Sequence, residues 1–244
     1  MSKQQVIQRS GIFFLSVIGI LMLHQQAIAQ QVARLTRYEV KPANESAFRE
    51  ALRSYVLQSL SSENNIMSEA YQEQDTAGVL WLIERWKDQG ALDIAAAGIA
   101  FKAIQNVAGN ALVQPAKILF VQDLEPLTKE QWRRQPGKED KPMTIMLFVD
   151  AKTGTENQFR ETYHKAMPEF RSEAGVINYQ LSQLQSDNTQ FVTYEKFRNE
   201  ETFQYHLRFP PIQPVIDYLN TSIKKQPFQA GLHRLIEFAP EKHK

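Results

Sequence analysis

Apolar and polar positions in the second half of the chain follow an order that predicts strand, helix, strand, strand, helix and strand. The first helix is the clearest, because four large apolar residues recur every three or four positions and share one face: Phe159, Tyr163, Met167 and Phe170. Thr155, with Gln158 three residues later, predicts a capping box at its start. Gly175 is suited to a left-handed cap at its end. The other segments are strands over residues 144–149, 176–184, 191–197 and 232–238, and a shorter helix from Glu200.

The first half repeats this order. Phe-Arg-Glu stands at 48–50 and again at 159–161, 111 positions apart, and this offset needs no gap from about residue 37 to residue 101. Beyond that the register slips by one to three residues. We interpret the repeat as an ancient duplication of a unit of roughly 95 to 100 residues. The predicted elements of the first copy are a helix capped by Asn44, strands over 66–72, 79–86 and 117–124, and a second helix over 91–107.

Each copy therefore predicts a four-stranded antiparallel sheet with two helices on one face, the ferredoxin-like plan of the α+β class. Alternation along residues 191–197 leaves neither face of the sheet wholly polar, so we expect the two units to pack sheet to sheet. The predicted domains are residues 30–126 and 143–240, with a charged tail at 241–244. Residues 127–142 are charged and interrupted by Pro136-Gly137, which predicts a linker whose Trp132 packs on a domain surface.

The N-terminal segment predicts where the protein is located. Lys3 and Arg9 precede an apolar run of 13 residues, and Ala27-Ile28-Ala29 has the pattern that a signal peptidase cleaves. Because a membrane span needs ~20 apolar residues, we predict a signal peptide over 1–29 and a periplasmic or secreted protein. An uncleaved membrane anchor is the alternative.

Charge and cysteine content exclude several classes. Without Lys3 and Arg9, 26 basic residues face 27 acidic ones, a formal charge of −1 that predicts no binding to nucleic acid or to an acidic membrane. The absence of cysteine excludes disulfides, thiolate metal sites and a cysteine nucleophile. There is no H-x-x-x-H and no carboxylate cluster, so we expect no dedicated metal site. There is also no P-loop, G-x-S-x-G or G-x-G-x-x-G, so the sequence does not support the usual kinds of kinase, hydrolase, or nicotinamide or flavin enzyme.

Three stretches of the second copy carry a family resemblance: 173–179 (EAGVINY), 194–197 (YEKF) and Tyr205-His206; the first copy matches best at 82–86 (LIERW). With the Phe-Arg-Glu helix, they make the chain similar to the antibiotic-biosynthesis-monooxygenase (ABM) family. The resemblance implies an intrachain dimeric α+β barrel with a pocket between sheet and helices. It also implies one of the family's activities: cofactor-independent oxygenation of quinols and aromatic polyketides, haem degradation, or a non-oxygenase role.

For cofactor-independent oxygenation, His206 is the predicted catalytic base. A neutral imidazole, with a pKa near 6.5, could accept the proton of a phenol or quinol and leave an electron-rich anion that reacts with O2. The alternative is a histidine that bridges a helix end to a backbone carbonyl. The copies differ at this position, because Ala95 stands where the second copy has His206. We therefore expect copy one to be a scaffold and copy two to retain the more polar cavity.

Six further residues are predicted to bind substrate: Asn178, Tyr179, Tyr194, Tyr205, Arg208 and Trp86. For Asn178, Tyr179 and Tyr194 the alternative is sheet packing, with the phenol tips satisfied at the surface. For Trp86 it is packing in the core or at the interface. Glu84 and Glu195 occupy equivalent positions, and a salt bridge to Arg or Lys at the domain interface is favoured over general-base work because a buried carboxylate is costly unless paired.

The leading hypothesis is an exported, cofactor-independent monooxygenase for a small aromatic or quinol-type substrate, with molecular oxygen as its only co-substrate. A non-catalytic module of the same barrel that binds an apolar ligand or a partner is the alternative, and whether the protein is an enzyme is left open. Haem binding through His206 ranks third. We expect a monomeric pseudo-dimer, with further self-association left open.

Overall fold

The computed structural model describes residues 30–240, in which the chain forms eight strands and seven helices. The predicted signal peptide and the charged tail lie outside the described residues. The first copy contains β1 (Val32–Glu39), α1 (Glu45–Leu60), β2 (Asn65–Glu73), β3 (Val79–Trp86), α2 (Gln89–Ala97), α3 (Ile99–Ala111) and β4 (Lys117–Leu124). The linker holds the short helix α4 (Lys129–Trp132). The second copy contains β5 (Met143–Asp150), α5 (Glu156–Ser172), β6 (Val176–Leu184), β7 (Gln190–Phe197), α6 (Glu200–His206), α7 (Gln213–Thr221) and β8 (Leu232–Ala239).

The eight strands form one closed barrel in the order β1-β3-β2-β8-β5-β7-β6-β4. Each copy contributes four neighbouring strands, and every pairing is antiparallel. Two pairings cross between the copies: β2 pairs with β8, where Tyr71 faces Glu237, and β4 pairs with β6, where Val121 faces Leu184. The predicted intrachain α+β barrel of two ferredoxin-like units is confirmed. Hydrogen bonds at both edges join the two sheets, in addition to the packing between their faces.

Alternation along the strands separates the core into an interior and two outer layers. The barrel interior is filled by side chains of both copies, including Leu35, Trp81 and Met146. Helix α5 covers the outer face of the second sheet with the predicted stripe, and all four of its residues are buried. Because each large apolar side chain removed from water contributes about 1.5–3 kcal/mol, both faces of each sheet stabilise the fold.

The linker closes one end of the barrel. Trp132 is only 2% exposed, so it goes deeper than the predicted surface packing. Its ring contacts that of Tyr194 at 5.3 Å between centroids, and the Arg85 guanidinium lies 3.9 Å from the ring centroid. Arg85 in turn makes a two-point ion pair with Asp123, at 2.6 and 2.9 Å. The linker is therefore part of the core.

The second copy also has a buried cation at the position of Arg85. Lys196 stands at the position of Arg85, and its Nζ lies 2.8 Å from Glu237 and 2.9 Å from Glu69 of the first copy. Burial alone would lower the pKa of the Lys196 ammonium, but Glu69, Tyr194 and Glu237 together outweigh it, so the pKa is raised. Ion pairs thus bind the two copies together inside the barrel.

Three local predictions are wrong. The second helix of copy one is broken at Gly98, where an extended backbone (φ −71°, ψ 161°) separates α2 and α3 at an angle of 63°. Neither Asn44 nor Thr155 makes a side-chain cap bond. The Thr155 hydroxyl instead donates to the carbonyl of Lys152 at 2.8 Å. Within residues 30–240 no single helix is long and apolar enough to cross a membrane, although α2 and α3 together pass by length and composition.

Gly175 is needed for close packing and does not form the predicted left-handed cap. Its backbone lies outside the left-handed region. A Cβ at this position would lie 2.3 Å from the Cβ of Thr202, which is part of the capping box that begins α6. The glycine therefore allows the start of β6 to approach the start of α6.

We expect Gly175→Ala to destabilise the protein by about 1–3 kcal/mol, because the added methyl overpacks against Thr202. Gly109→Ala is the control, since Gly109 lies within α3 and a methyl group added there would have nothing within 4 Å; it should stabilise by about 0.5–1 kcal/mol. Urea unfolding measures both. Equal stability of the Gly175 variant and the parent would contradict the packing role.

Candidate functional site

His206 ends α6 and is buried beneath it. Asn199 and Thr202 form a capping box that fixes the start of this helix. The His206 side chain is 1% exposed, and its Nδ1 lies 2.6 Å from Glu173 Oε1. This contact replaces the backbone carbonyl that the sequence offered as the alternative partner.

Three aromatic rings enclose the imidazole of His206. Phe170, Tyr179 and Phe197 lie at centroid distances of 4.8, 5.4 and 5.3 Å. Residues 30–240 enclose cavities of about 300, 390 and 210 Å3, and His206 lines none of these three. The imidazole is thus held in one orientation and meets a ligand only through its neighbours.

Glu195 is the buried carboxyl next to this histidine. Its Oε1 accepts hydrogen bonds from the Tyr179 hydroxyl at 3.0 Å and the Thr193 hydroxyl at 2.6 Å. Burial raises the pKa of the Glu195 carboxyl above its ordinary value, although nearby His206 opposes the rise. Burial thus favours the protonated form of this carboxyl.

Tyr163 of α5 belongs to the same cluster of buried side chains as Glu195 and Tyr179. Burial, and then the Glu195 carboxylate, raise the pKa of the Tyr163 phenol, and a hydrogen bond with Tyr179 opposes the rise. Burial also raises the pKa of Tyr179 well above its usual range. Both side chains therefore remain neutral phenols that can donate and accept, and they connect Glu195 to the surface of α5.

The equivalent carboxyl in copy one, Glu84, has a different environment. Arg34 pairs with Glu84 Oε2 at 2.5 and 2.8 Å, and Tyr55 and Trp86 donate to Oε1 at 2.7 and 3.0 Å. The predicted salt bridge is therefore present for Glu84, within its own copy. It is wrong for Glu195, because Ile145 stands where copy one has Arg34.

The cavity of about 300 Å3 lies between α5 and the seam of β6 and β4 in copy two. Tyr163, Met167 and Leu181 form its apolar wall, and Arg160 and Glu161 stand at its edge. His164 contacts Glu125 at the mouth and is largely exposed. Tyr163 thus joins the cavity to the cluster around Glu195.

Copy one has the cavity of about 210 Å3 at a different place, under the C-terminal end of α1 and the start of α2. Trp86, Tyr55 and Ser59 line it, and so does Ala95. The space that His206 fills in copy two is therefore open in copy one. Both copies thus have a cavity, and the expectation that copy two retains the more polar one stays a prediction.

The remaining predicted residues do not meet at one site. Asn178 and Tyr194 face the barrel interior, where Asn178 Nδ2 donates to Gln131 O at 2.7 Å and the Tyr194 hydroxyl donates to Glu69 at 2.5 Å. Tyr205 is 55% exposed and Arg208 is also exposed. Of the seven predicted residues, only His206 and Tyr179 come together. All seven assignments remain predictions.

Sequence reasoning missed Tyr163 and Glu173, and it assigned Glu195 to an ion pair. Tyr163 belongs to the predicted core stripe, but its hydroxyl also serves the cluster. The signal for Glu195 is present in the repeat, because the 111-residue offset aligns Arg34 with Ile145 and so removes the cation.

A comparison with models of protein families finds a match in both halves of the barrel. The model of the antibiotic biosynthesis monooxygenase family matches residues 31–107 and 142–216, one match in each copy. This chain belongs to the antibiotic biosynthesis monooxygenase family. A search of curated proteins gives no match.

Three solved structures share the fold over most of their length. A candidate monooxygenase from Lactobacillus acidophilus NCFM is 14% identical with a TM-score of 0.70, over 85% of this chain and 94% of its own. One from Fusobacterium nucleatum is also 14% identical at 0.70, over 86% and 92%. An anthrone oxidase-like protein is 10% identical at 0.60, over 86% and 92%. At these identities the likeness establishes the fold, with both halves on one chain.

The donor set of the cluster around Glu195 does not resemble a metal centre. Among residues 30–240 no group of three or more His, Asp or Glu side chains could hold a metal ion. The chemistry available to the cluster is therefore hydrogen bonding and proton exchange by Glu195, Tyr179 and Tyr163.

Glu195→Gln should stabilise the protein at neutral pH. The folded-state pKa of Glu195 is raised above 4.5, so its ionisation costs stability above the folded pKa, and this cost disappears below 4.5, where the carboxyl is protonated in both states. The gain from the substitution should accordingly shrink as the pH falls toward 4.5. Urea unfolding of parent and variant between about pH 4 and pH 8 measures it.

Glu84→Gln is the matched variant and should have the opposite effect. It leaves the buried Arg34 guanidinium without its carboxylate, which costs about 3–5 kcal/mol. Destabilisation by both substitutions at neutral pH would contradict the difference between the copies.

Proposed function

We propose that the protein is a cofactor-independent monooxygenase that oxidises a small aromatic, quinol-type substrate in the cavity of copy two. One observation carries the proposal: the Glu195 carboxyl, buried and paired with no Lys or Arg of residues 30–240, connects through Tyr179 to Tyr163, which lines that cavity. Membership of the ABM family supports the reaction class.

The size of the cavity supports a substrate of one or two rings. An apolar protein cavity of about 150 Å3 holds one benzene ring, and this one measures about 300 Å3. Its wall of Met167 and Leu181 suits a flat apolar body, while the Tyr163 phenol offers a partner for a substrate hydroxyl.

In the proposed reaction the substrate hydroxyl gives its proton to Tyr163, Tyr163 passes one to Tyr179, and Tyr179 passes one to the Glu195 carboxylate. The electron-rich anion then forms a C–O bond with O2 at a ring carbon that carries hydrogen, and proton return gives a hydroperoxide. The O–O bond breaks as water leaves with the hydrogen of that carbon, and a carbonyl remains. One oxygen atom ends in the product and one in water, so no external reductant is needed.

In this proposal His206 acts on the pKa of Glu195, the last proton acceptor of the relay. The nearby imidazole opposes the rise in the pKa of Glu195, and Glu173 holds it in position at 2.6 Å. The predicted role of direct base passes to Glu195. The other five predicted residues are not part of this proposal.

Oxygen uptake tests the activity directly. The purified protein should consume O2 with small hydroquinols or hydroxynaphthoquinols, and Glu195→Gln should lower kcat by about 100-fold or more, the usual range for a general base. Tyr163→Phe should lower kcat with little change in KM. Leu181→Trp, which fills the cavity, should abolish turnover.

Tyr55→Phe is the matched control, because it removes the phenol beside the corresponding carboxyl of copy one. It should leave kcat within about twofold of the parent. Full activity of both Glu195→Gln and Tyr163→Phe would contradict the relay.

A second candidate, a non-catalytic binding module, is favoured by the cavity of copy one. Trp86 borders this cavity, and Arg34 already neutralises the nearby Glu84, so an aromatic ligand could bind without proton transfer. Tight binding of quinols without O2 uptake, lost on Ala95→Trp, would favour this module over the enzyme.

A haem role finds little support in the geometry. Axial ligation needs a histidine with an open face, but His206 is 1% exposed and enclosed by three rings and Glu173. We therefore propose no resident cofactor.

Export remains part of the proposal and rests on the sequence of residues 1–29. Protein recovered from the periplasm or the medium should have the mass of a chain that begins at Gln30. Recovery of the uncleaved chain from the membrane fraction would favour the anchor instead.

A further inference from the structure

The end of the barrel opposite Trp132 is open and forms the cavity of about 390 Å3. It lies at the end of the barrel, where interior side chains such as Trp81 and Phe148 meet outer-layer side chains of copy two such as Phe191 and Ile223. Trp81, which lines it, precedes Arg85 by four residues on β3, about 13 Å along the strand. Both copies contribute to the wall: Arg37, Trp81 and Lys117 from the first, and Phe148, Lys225 and His233 from the second.

Three aromatic rings form one side of this cavity. Trp81 and Phe148 are stacked at an interplanar angle of 27° with centroids 5.9 Å apart, and His233 packs edge-on against both, at 5.8 and 5.4 Å. Glu73 fixes this group, because its carboxylate accepts from Trp81 Nε1 at 3.0 Å and lies 2.9 Å from His233 Nδ1. Among residues 30–240 no hydrogen bond reaches His233 Nε2, which makes this atom the polar group of the site. The site is thus a preformed aromatic surface with one adjacent polar atom.

The rim of the cavity carries excess positive charge. Arg37 is paired with Glu39, and Asp150 is paired with Lys224. Lys117 and Lys225 are exposed and make no ion pair with any residue of 30–240. Two uncompensated ammonium groups beside an aromatic wall favour a ligand with a flat apolar body and one negative group.

We infer that the open end of the barrel is a second ligand site, which binds an aromatic carboxylate of one or two rings against Trp81, Phe148 and His233 with its carboxylate at Lys117 and Lys225. The site stands apart from the proposed oxidation, because it shares no lining residue with the cavity of about 300 Å3 and uses neither Glu195 nor Tyr163. Its volume exceeds the ~150 Å3 that holds one benzene ring.

Isothermal titration calorimetry with 2-naphthoate tests the site, and 2-naphthamide serves as the neutral isostere. We expect 2-naphthoate to bind more tightly than the amide, and its affinity to fall when salt rises from about 50 mM to about 500 mM. The double variant Lys117→Gln/Lys225→Gln should weaken naphthoate about threefold or more and leave the amide unchanged. Lys87→Gln/Lys102→Gln is the matched control, since these lysines are exposed outside the barrel.

Ala230→Trp supplies the steric test. Ala230 is an exposed residue at the mouth of the cavity, so a large side chain there should block binding and leave the fold intact. Equal affinity for acid and amide, or naphthoate binding that survives Ala230→Trp, would overturn the inference. So would binding that is lost only in Leu181→Trp, which would assign the ligand to the helix-side cavity of copy two.

Discussion

The fold depends on two strand pairings that cross between the copies, β2 with β8 and β4 with β6. Without its partner, each copy would expose two sheet edges with unpaired backbone groups and an apolar sheet face. The crossing pairings give the backbone groups of both edges a partner, and they also enclose the apolar face. They also bring Lys196 of the second copy to Glu69 of the first, an ion pair that neither copy can form alone. Each copy is therefore half of a folding unit.

Features that depend on local pattern could be predicted from the sequence. The helix stripe of Phe159 and Phe170, the order of elements along the chain and the duplication all follow from spacing, and the barrel was implied by the family resemblance. Features that depend on distant neighbours could not. Gly175 looks like a helix cap, but its reason is Thr202, which lies 27 positions later. Trp132 looks like a linker residue, and only the closed barrel gives it a place in the core.

The candidate site was predicted only in part for the same reason. His206 and Tyr179 do meet, but the rings that bury the imidazole come from three separate elements, and no spacing rule brings them together. Asn178 precedes Tyr179 and therefore points to the opposite face of β6. Glu84 and Glu195 differ because of the residue on the neighbouring strand. The repeat contained this information, since it aligns Arg34, the partner of Glu84, with Ile145.

Having both halves in one polypeptide frees each from the symmetry that identical subunits must obey. One copy keeps a neutralised carboxylate and an open space, while the other keeps a lone carboxyl and fills that space with an imidazole.

The connection between the halves has a consequence for solutes. Because Trp132 closes one end and packed side chains of both copies fill the interior, the barrel is not a channel. A solute that enters the cavity at the other end must leave by the side from which it came.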